Sequence, residues 1–411
     1  MVSSSARRTF SLHHSIGRGG FGEVYLATLR STSGLESEVA VKILGPEHSG
    51  DTRSVRRFRD EGRILARLSH PNILTVFDLV ELDGRTALVT EYVSGADLSE
   101  CFKGPKAMGP RALVEVGVQV ASALEAAWQT PGASGPLRLV HRDLKPTNVR
   151  VGRHGQVRLL DFGIAYFVAP ERESSTASDV ILGSLPYMAP ERFVEEQKSP
   201  ASDLFGLGCC LYEGLSGERF HLRADVGTMS ALALNAERYE EHLSLRLGRI
   251  QGTTDPALLA LVRSLLSHEP ARRPGLSQWI AQGEAWLESA EGAHLRGWCR
   301  GRAWQEESGQ NAAWSGREIV EGGPLVNEER APEHERGALS LTRVGSGQRL
   351  RFTLNRPWFS RVWTSARSWL FRLRWPIVAS GAGCLIVALL LVGLVGLLAF
   401  AGLLGVGWLI F

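Results

Sequence analysis

Apolar residues come in short runs over the first ninety or so positions and in helical stripes after them. Phe10-Ser-Leu-His-His-Ser-Ile16 alternates imperfectly, and Glu23–Leu29 and Glu38–Leu44 are rich in β-formers, which predicts three strands. From Ser54 to Leu68 the period lengthens, and Val55, Phe58, Ile64, Leu65 and Leu68 fall on one side of a helix. Two more strands are expected at Ile73–Leu82 and Thr86–Tyr92, divided by the turn signal Asp83-Gly84. Beyond Gly95 the pattern is mostly helical, and Arg111–Trp128 is a long apolar-striped helix. The expected fold class is α+β, a small β-rich lobe followed by a larger α-helical lobe. The sequence shows no repeat of the solenoid type.

This periodicity occupies residues 10–287, behind a polar lead at 1–9. Residues 288–348 are rich in Gly, Glu, Arg and Ser with scattered Trp, and read as a poorly ordered polar linker. Residues 349–375 are basic and aromatic, and 376–411 carry no charge at all.

Composition narrows the class. The 411 residues are 44% hydrophobic and 22% charged, which excludes wholesale disorder and a collagen-like chain. Long apolar runs are too few for a polytopic membrane protein. A net charge of only +3 gives no reason to expect nucleic acid as a partner. Five cysteines without a C-x-x-C pair argue against a disulfide framework or a zinc site, and Cys209-Cys210 read as core. Met1–Phe10 has no apolar stretch of the kind that opens a secretory signal, so this end is expected in the cytoplasm.

Gly17-Arg-Gly19-Gly20-Phe21-Gly22-Glu-Val24 is a G-x-G-x-x-G-x-V loop. Glycines let the backbone approach phosphate oxygens and take φ values that a side chain forbids. A dinucleotide fingerprint would need a helix right after the glycines and an acid about 20 residues on. Here a strand follows and residue 42 is Lys, so a strand-loop-strand flap over a nucleotide is the better reading. Val39-Ala40-Val-Lys42 ends an apolar strand on an ammonium that needs anionic partners. ATP phosphates and Glu61, in the helix that follows, would supply them.

His141-Arg-Asp143-Leu-Lys145-Pro-Thr-Asn148 gathers Asp, Lys and Asn within six positions. Asp161-Phe-Gly163 lies 18 residues after Asp143, and Ala189-Pro-Glu191 follows a Ser/Thr-bearing loop. Phosphoryl transfer to a hydroxyl needs an acceptor for the hydroxyl proton, which suits Asp143. It needs oxygen ligands for Mg²⁺, which suit Asn148 and Asp161. It needs positive charge on the transferring oxygens, which suits Lys42 and Lys145.

With these motifs in this order, residues 10–287 resemble the eukaryotic-type Ser/Thr protein kinases, and bacterial membrane-anchored members among them. The resemblance implies a bilobal kinase fold, ATP and Mg²⁺ as cofactors, and Ser/Thr hydroxyls of proteins as acceptors. It implies that Ile16 and Val24 sandwich the adenine, that Ala40 lines its edge, and that Gly17 to Gly22, including Gly19, Gly20 and Phe21, cover the phosphates. Lys42 would bind the α- and β-phosphates and pair with Glu61. Thr90 would be the gatekeeper and Glu91–Val93 the hinge, with Val93 offering backbone hydrogen bonds to adenine. Asp143 is implied as catalytic base or aligner, Lys145 as the mark of Ser/Thr specificity, and Asn148 and Asp161 as Mg²⁺ ligands. Glu191 should pair with Arg273, and Asp203 should brace the catalytic loop.

The resemblance also sets Arg142 opposite a phosphorylated activation loop, here Ile164–Met188, with Ser174, Ser175, Thr176 and Ser178 as candidates for autophosphorylation. Ser184 and Leu185 stand where the family usually has Thr and Pro, and Ser184 keeps a hydroxyl able to meet Asp143 and Lys145. Thr130–Leu139 is longer and richer in Gly and Pro than usual, and reads as a surface insertion. A catalytically weak scaffold, and a kinase for tyrosine or a small molecule, are the alternatives.

Residues 349–374 hold seven Arg and no acid. On a helix Trp358, Phe359, Val362, Trp363, Trp369, Leu370 and Leu373 share one arc, and Arg361, Arg367 and Arg372 fall outside it. Such a helix suits anionic membrane lipid, with a partner-binding helix as the alternative. The 36 uncharged residues that follow exceed the roughly 20 that span a bilayer. One transmembrane helix is expected, with a hairpin broken at Gly393 and Gly396 as the alternative. The arginines before it put the kinase-like region on the cytoplasmic side of the inner membrane. Small residues four apart, Ala379 with Gly383 and Ala401 with Gly405, permit a homodimer.

Overall fold

Phe10, Leu12, Tyr25, Ala27, Val39, Val41, Val80, Leu82, Ala87 and Val89 alternate along five segments and are all buried, so these segments share one inward face of a sheet. The structure, a computed structural model, describes residues 7–322 except 20–21, 133–134, 163–183, 195–198, 223, 251–254, 305–311 and the side chains of residues 47, 57 and 61. The segments are β1 (Thr9–Gly19), β2 (Gly22–Arg30) and β3 (Glu36–Leu44), an antiparallel meander, and the hairpin β4 (Val76–Leu82) and β5 (Arg85–Glu91). Asp83 and Gly84 at the hairpin tip both have positive φ, 48° and 71°, as a tight two-residue hairpin turn demands. Between β3 and β4 come α1 (Pro46–Ser49) and α2 (Thr52–Leu65). Asp51 caps α2 by accepting the N–H groups of Arg53 and Ser54, both at 3.1 Å. Strand β4 begins at Val76, later than predicted; Ile73 makes only a single bridge to Leu159.

The second lobe opens with β6 (Gly95–Asp97) and α3 (Leu98–Cys101), and is organised around α4 (Pro110–Gln129). Gly117 lets α4 approach its neighbours: a Cβ there would meet the ring of Trp279 at 2.9 Å. A two-residue ladder, β7 (Pro131–Gly132) with β8 (Gly135–Pro136), makes the predicted insertion a surface hairpin. Then β9 (Val149–Gly152) and β10 (Val157–Leu159) form a small sheet with β6. Helices α5 (Pro200–Ser216), α6 (Val226–Leu234), α7 (Ala236–Leu247), α8 (Pro256–Leu265) and α9 (Leu276–Ser289) complete the core, with Cys209 and Cys210 fully buried.

The linker reading fails for part of residues 288–322. Leu295–Gly301 forms helix α10, and Glu318–Val320 forms β11, which pairs with β1 and makes the sheet order β11-β1-β2-β3-β5-β4. Polar composition hid four buried anchors: Leu295, Trp298, Trp314 and Ile319 are each no more than 9% exposed. The activation-loop residues Ser174, Ser175, Thr176 and Ser178 and the whole of 349–411 lie outside the described residues. Among the described residues no helix is long and apolar enough to cross a membrane.

One buried cluster in the helical lobe makes a stability prediction. His221 is 2% exposed and neither ring nitrogen has a hydrogen-bond partner among the described residues. Its ring stacks on His242 at 5.2 Å and meets the edge of Phe220 at 4.6 Å, with Arg246 nearby. Burial, then the His242 and Arg246 charges, push the imidazole down from 6.5 to about 3. The folded state therefore keeps His221 neutral while the unfolded chain takes up a proton below about pH 6.5. Stability should fall by about 2 kcal/mol between pH 7 and pH 5 on this account. Urea unfolding at both pH values should show the loss, and His221→Phe should remove most of it. An equal loss in the variant would assign the acid lability to other groups.

Candidate active site

Strands β1 and β2 stay paired to their tips, Gly17 opposite Val24 and Gly19 opposite Gly22. Gly20 and Phe21, at the turn itself, lie outside the described residues. At Gly22 a Cβ would collide with the carbonyl oxygen of Ile43, so no side chain fits there. Ile16 and Val24 are half-buried, Ala40 is buried on β3, and Val24 sits in register with Lys42.

Lys42 reaches the other lobe: its Nζ lies 2.7 Å from Oδ1 of Asp161, 119 residues away. Its predicted pairing with Glu61 falls on a side chain outside the described residues. Asp161 has a positive φ of 42° and follows directly on the β10 hairpin. About half its side chain reaches solvent, yet protein surrounds it, and that desolvation pushes its carboxyl up. The Lys42 charge and hydrogen bond, helped by His141 and Lys145, outweigh this and hold it below the ordinary carboxylate range.

The catalytic-loop residues form one connected cluster. Asp143 Oδ2 accepts from Lys145 Nζ at 2.8 Å and from Asn148 Nδ2 at 3.1 Å, and Asn148 Nδ2 also donates to the Asp143 carbonyl at 2.7 Å. Lys145 Nζ donates as well to Ser184 Oγ at 3.1 Å, the hydroxyl that the sequence placed near it. A backbone bond from Leu160 N–H to the Asn148 carbonyl, 2.8 Å, brings this loop alongside Asp161.

Below the loop sits Asp203, 3% exposed, on the first turn of α5. Its two oxygens accept the N–H groups of His141 at 2.6 Å and Arg142 at 2.8 Å, which is the predicted brace. Burial pushes its carboxyl up, and the His141 charge with these two donors offsets only part of that. The brace fixes Arg142 at φ 67°, a conformation that side chains seldom take, just before Asp143. Glu191 and Arg273 form a two-pronged pair at 2.7 and 2.8 Å, with Arg273 fully buried. Burial pushes the Glu191 carboxyl up, but Arg273 and Ser202 more than reverse this, so it lies below its ordinary value.

At the hinge, Thr90 and Val93 are buried, and the Val93 N–H has no partner among the described residues. The Glu91 carboxylate is turned to structural work: it accepts from Thr75 N–H and Arg158 Nε, both at 2.8 Å. Arg150 Nε donates to the Val93 carbonyl at 3.0 Å. Sequence reasoning missed this pair of arginine clamps, because their partners are 57 and 67 residues away. The link from His141 Nε2 to the Leu160 carbonyl, 2.7 Å, and the His141–Phe162 ring contact at 4.8 Å were missed for the same reason.

A β-sheet lobe and a helical lobe with a lysine, two aspartates and an asparagine gathered between them define a protein kinase. Comparison with known families matches residues 10–284 to the protein kinase domain, and the chain belongs to that family. Among curated relatives, it is 34% identical over 229 residues to the tyrosine-protein kinase MasK of Myxococcus xanthus, covering 54% of this chain and 35% of that one. It is 36% identical over 202 residues to the serine/threonine-protein kinase PrkC of Bacillus subtilis, covering 49% and 29%. It is 38% identical over 215 residues to the serine/threonine-protein kinase PknA of Mycobacterium tuberculosis, covering 51% and 47%. The chain thus spans between about a third and a half of the length of these relatives.

Proposed function

We propose that the chain is a serine/threonine protein kinase, transferring the γ-phosphoryl group of ATP to protein hydroxyls and anchored to a membrane by its C-terminal segment. The observation that carries the catalytic part is the meeting of Lys42 and Asp161 across the cleft beside the Asp143–Lys145–Asn148 cluster. The residues fit Mg²⁺. Asn148 spends its Nδ2 on Asp143, which leaves Oδ1 as an acceptor, and Asp161 keeps Oδ2 beyond its Lys42 contact. Two hard oxygens suit this cation, which takes its remaining ligands from phosphates and water. When bound, Mg²⁺ would neutralise charge on the β- and γ-phosphates. Lys42 would hold the α- and β-phosphates. Asp143 would orient the acceptor hydroxyl and take its proton, while Lys145 fixes the carboxylate and lends positive charge to the transferring oxygens. Ile16, Val24, Ala40 and the Val93 N–H would hold adenine.

Lys42→Ala should lower transfer from Mg-ATP to a protein acceptor by about a hundredfold. Equal labelling by wild type and variant would remove the enzymatic reading. The relative MasK, named as a tyrosine kinase, supports tyrosine as a second reading. Asp143-Leu-Lys145 and the Lys145–Ser184 contact support Ser/Thr instead. Phosphoamino-acid analysis separates them: phosphotyrosine alone would favour the second. Autophosphorylation within Ile164–Met188 belongs to the proposal and is read by mapping phosphosites against an Asp143→Asn control. Anchoring is supported by the arginine-tryptophan segment and the 36 uncharged residues after it. Recovery of the full chain in the soluble fraction of lysed cells, free of membranes, would defeat that part.

A further inference from the structure

The family match ends at residue 284, yet residues 312–322 complete the sheet lobe. Without β11, β1 would be the edge of the sheet. Thr9, Phe10 and Ser11 pair with Val320, Ile319 and Glu318. Just beyond, the Leu12 N–H donates to the Arg317 carbonyl and the Leu12 carbonyl accepts from the Gly316 N–H, both at 2.8 Å. Arg8 donates to both carboxylate oxygens of Glu321, at 2.7 and 2.8 Å. Trp314 and Ile319 are buried with Phe10, Leu12 and Tyr25 in one core cluster.

The strand held in this way leads straight into the glycine loop. The pairing of β1 with β2 shifts register twice, between Leu12 and His14 and between Ser15 and Gly17. Gly17 to Gly19 therefore oppose Val24 to Gly22 only if β1 keeps one register ahead of both shifts, and the β11 ladder holds that register. Strand β2 is held as well. The Tyr25 hydroxyl lies beside the Trp314 backbone and donates to Glu23 Oε2 at 2.5 Å. The other Glu23 oxygen lies 3.6 Å from Nε of Arg18, its partner across the loop. We infer that residues 312–322 are a positioning element for the glycine loop, acting through β1 and through the Tyr25–Glu23–Arg18 chain, and that they thereby set nucleotide affinity. A loop aligned for only about a fifth of the time would bind about fivefold more weakly, because apparent affinity scales with the competent fraction. Bound nucleotide selects the aligned loop, so the rate at saturation is not altered. The link to nucleotide rests on the kinase reading above; the alignment of the loop does not.

The test is made in the full chain. Trp314→Leu keeps the core apolar but removes the ring, and Tyr25→Phe keeps its ring but removes the hydroxyl. Amide exchange at residues 15–19 without nucleotide, affinity for a non-hydrolysable Mg-ATP analogue, and KM and kcat are measured for each. Trp314→Leu should speed exchange at 15–19 and raise Kd and KM about fivefold, with kcat within about twofold of wild type. Tyr25→Phe should raise Kd and KM about twofold. Trp314→Phe, which keeps an aromatic ring in the core, should stay close to wild type. Unchanged exchange at 15–19 in Trp314→Leu overturns the positioning role, whatever happens at 318–320. A fall in kcat that matches the rise in KM overturns it too, because it marks a general loss of structure. Faster exchange with unchanged affinity overturns the link to nucleotide. If Trp314→Leu does not fold, Tyr25→Phe decides, and wild-type exchange and affinity in that variant overturn the proposal. Wild-type protein that binds no nucleotide would sink the kinase reading, and the exchange measurement would still decide the alignment.

Discussion

Asp143→Asn should lower the rate of phosphoryl transfer by a factor of about 10² to 10⁴ and leave Mg-nucleotide affinity nearly unchanged. The asparagine is close to isosteric, and its amide oxygen can still accept from Lys145 Nζ and Asn148 Nδ2, so the loop keeps its shape. It loses the ability to take a proton and the negative charge that orients the acceptor hydroxyl. The nucleotide would be held by other groups: Lys42, the glycine loop and the hinge. Single-turnover transfer and equilibrium nucleotide binding, measured on the same protein, separate the two effects. If affinity and rate fell together, Asp143 would be part of the binding site and not the base.

Arg273→Ala should destabilise the fold by about 3–5 kcal/mol, because it leaves Glu191 charged and without its main partner in the interior. Arg273 is fully buried and donates not only to both Glu191 oxygens but also to the carbonyls of Ala201, Ser267 and His268. Its guanidinium also lies 4.9 Å from the ring centre of Phe205. Removing both polar ends together, as Arg273→Met with Glu191→Gln, should recover part of the loss, since no unpaired charge is then buried. Urea unfolding at pH 7 checks both variants; a loss under about 1 kcal/mol in Arg273→Ala would show that water fills the gap at little cost. The pH dependence has a definite sign. Glu191 is held below its ordinary value of 4.5, so its stabilisation is present above that pH and is lost as the pH falls through the lower, folded value. The difference between wild type and Arg273→Ala should therefore shrink in acid.

The sequence alone determined the two-lobe order, the position of each strand in the meander and the chemistry-bearing set Lys42, Asp143, Lys145, Asn148 and Asp161. Period-two and helical patterns report local burial, and motif spacing reports local loops, so both can be read without the fold. Tertiary structure alone decided three things: the Lys42–Asp161 contact, the arginine clamps on Glu91 and Val93, and the return of residues 312–322 to the edge of β1. A pairing across 119 or 313 residues leaves no periodic trace, because its free energy depends on where the whole chain brings the partners. Residues 312–322 show this most sharply. In a stretch dominated by Gly, Glu and Arg, a few apolar side chains find a core that other segments have already built.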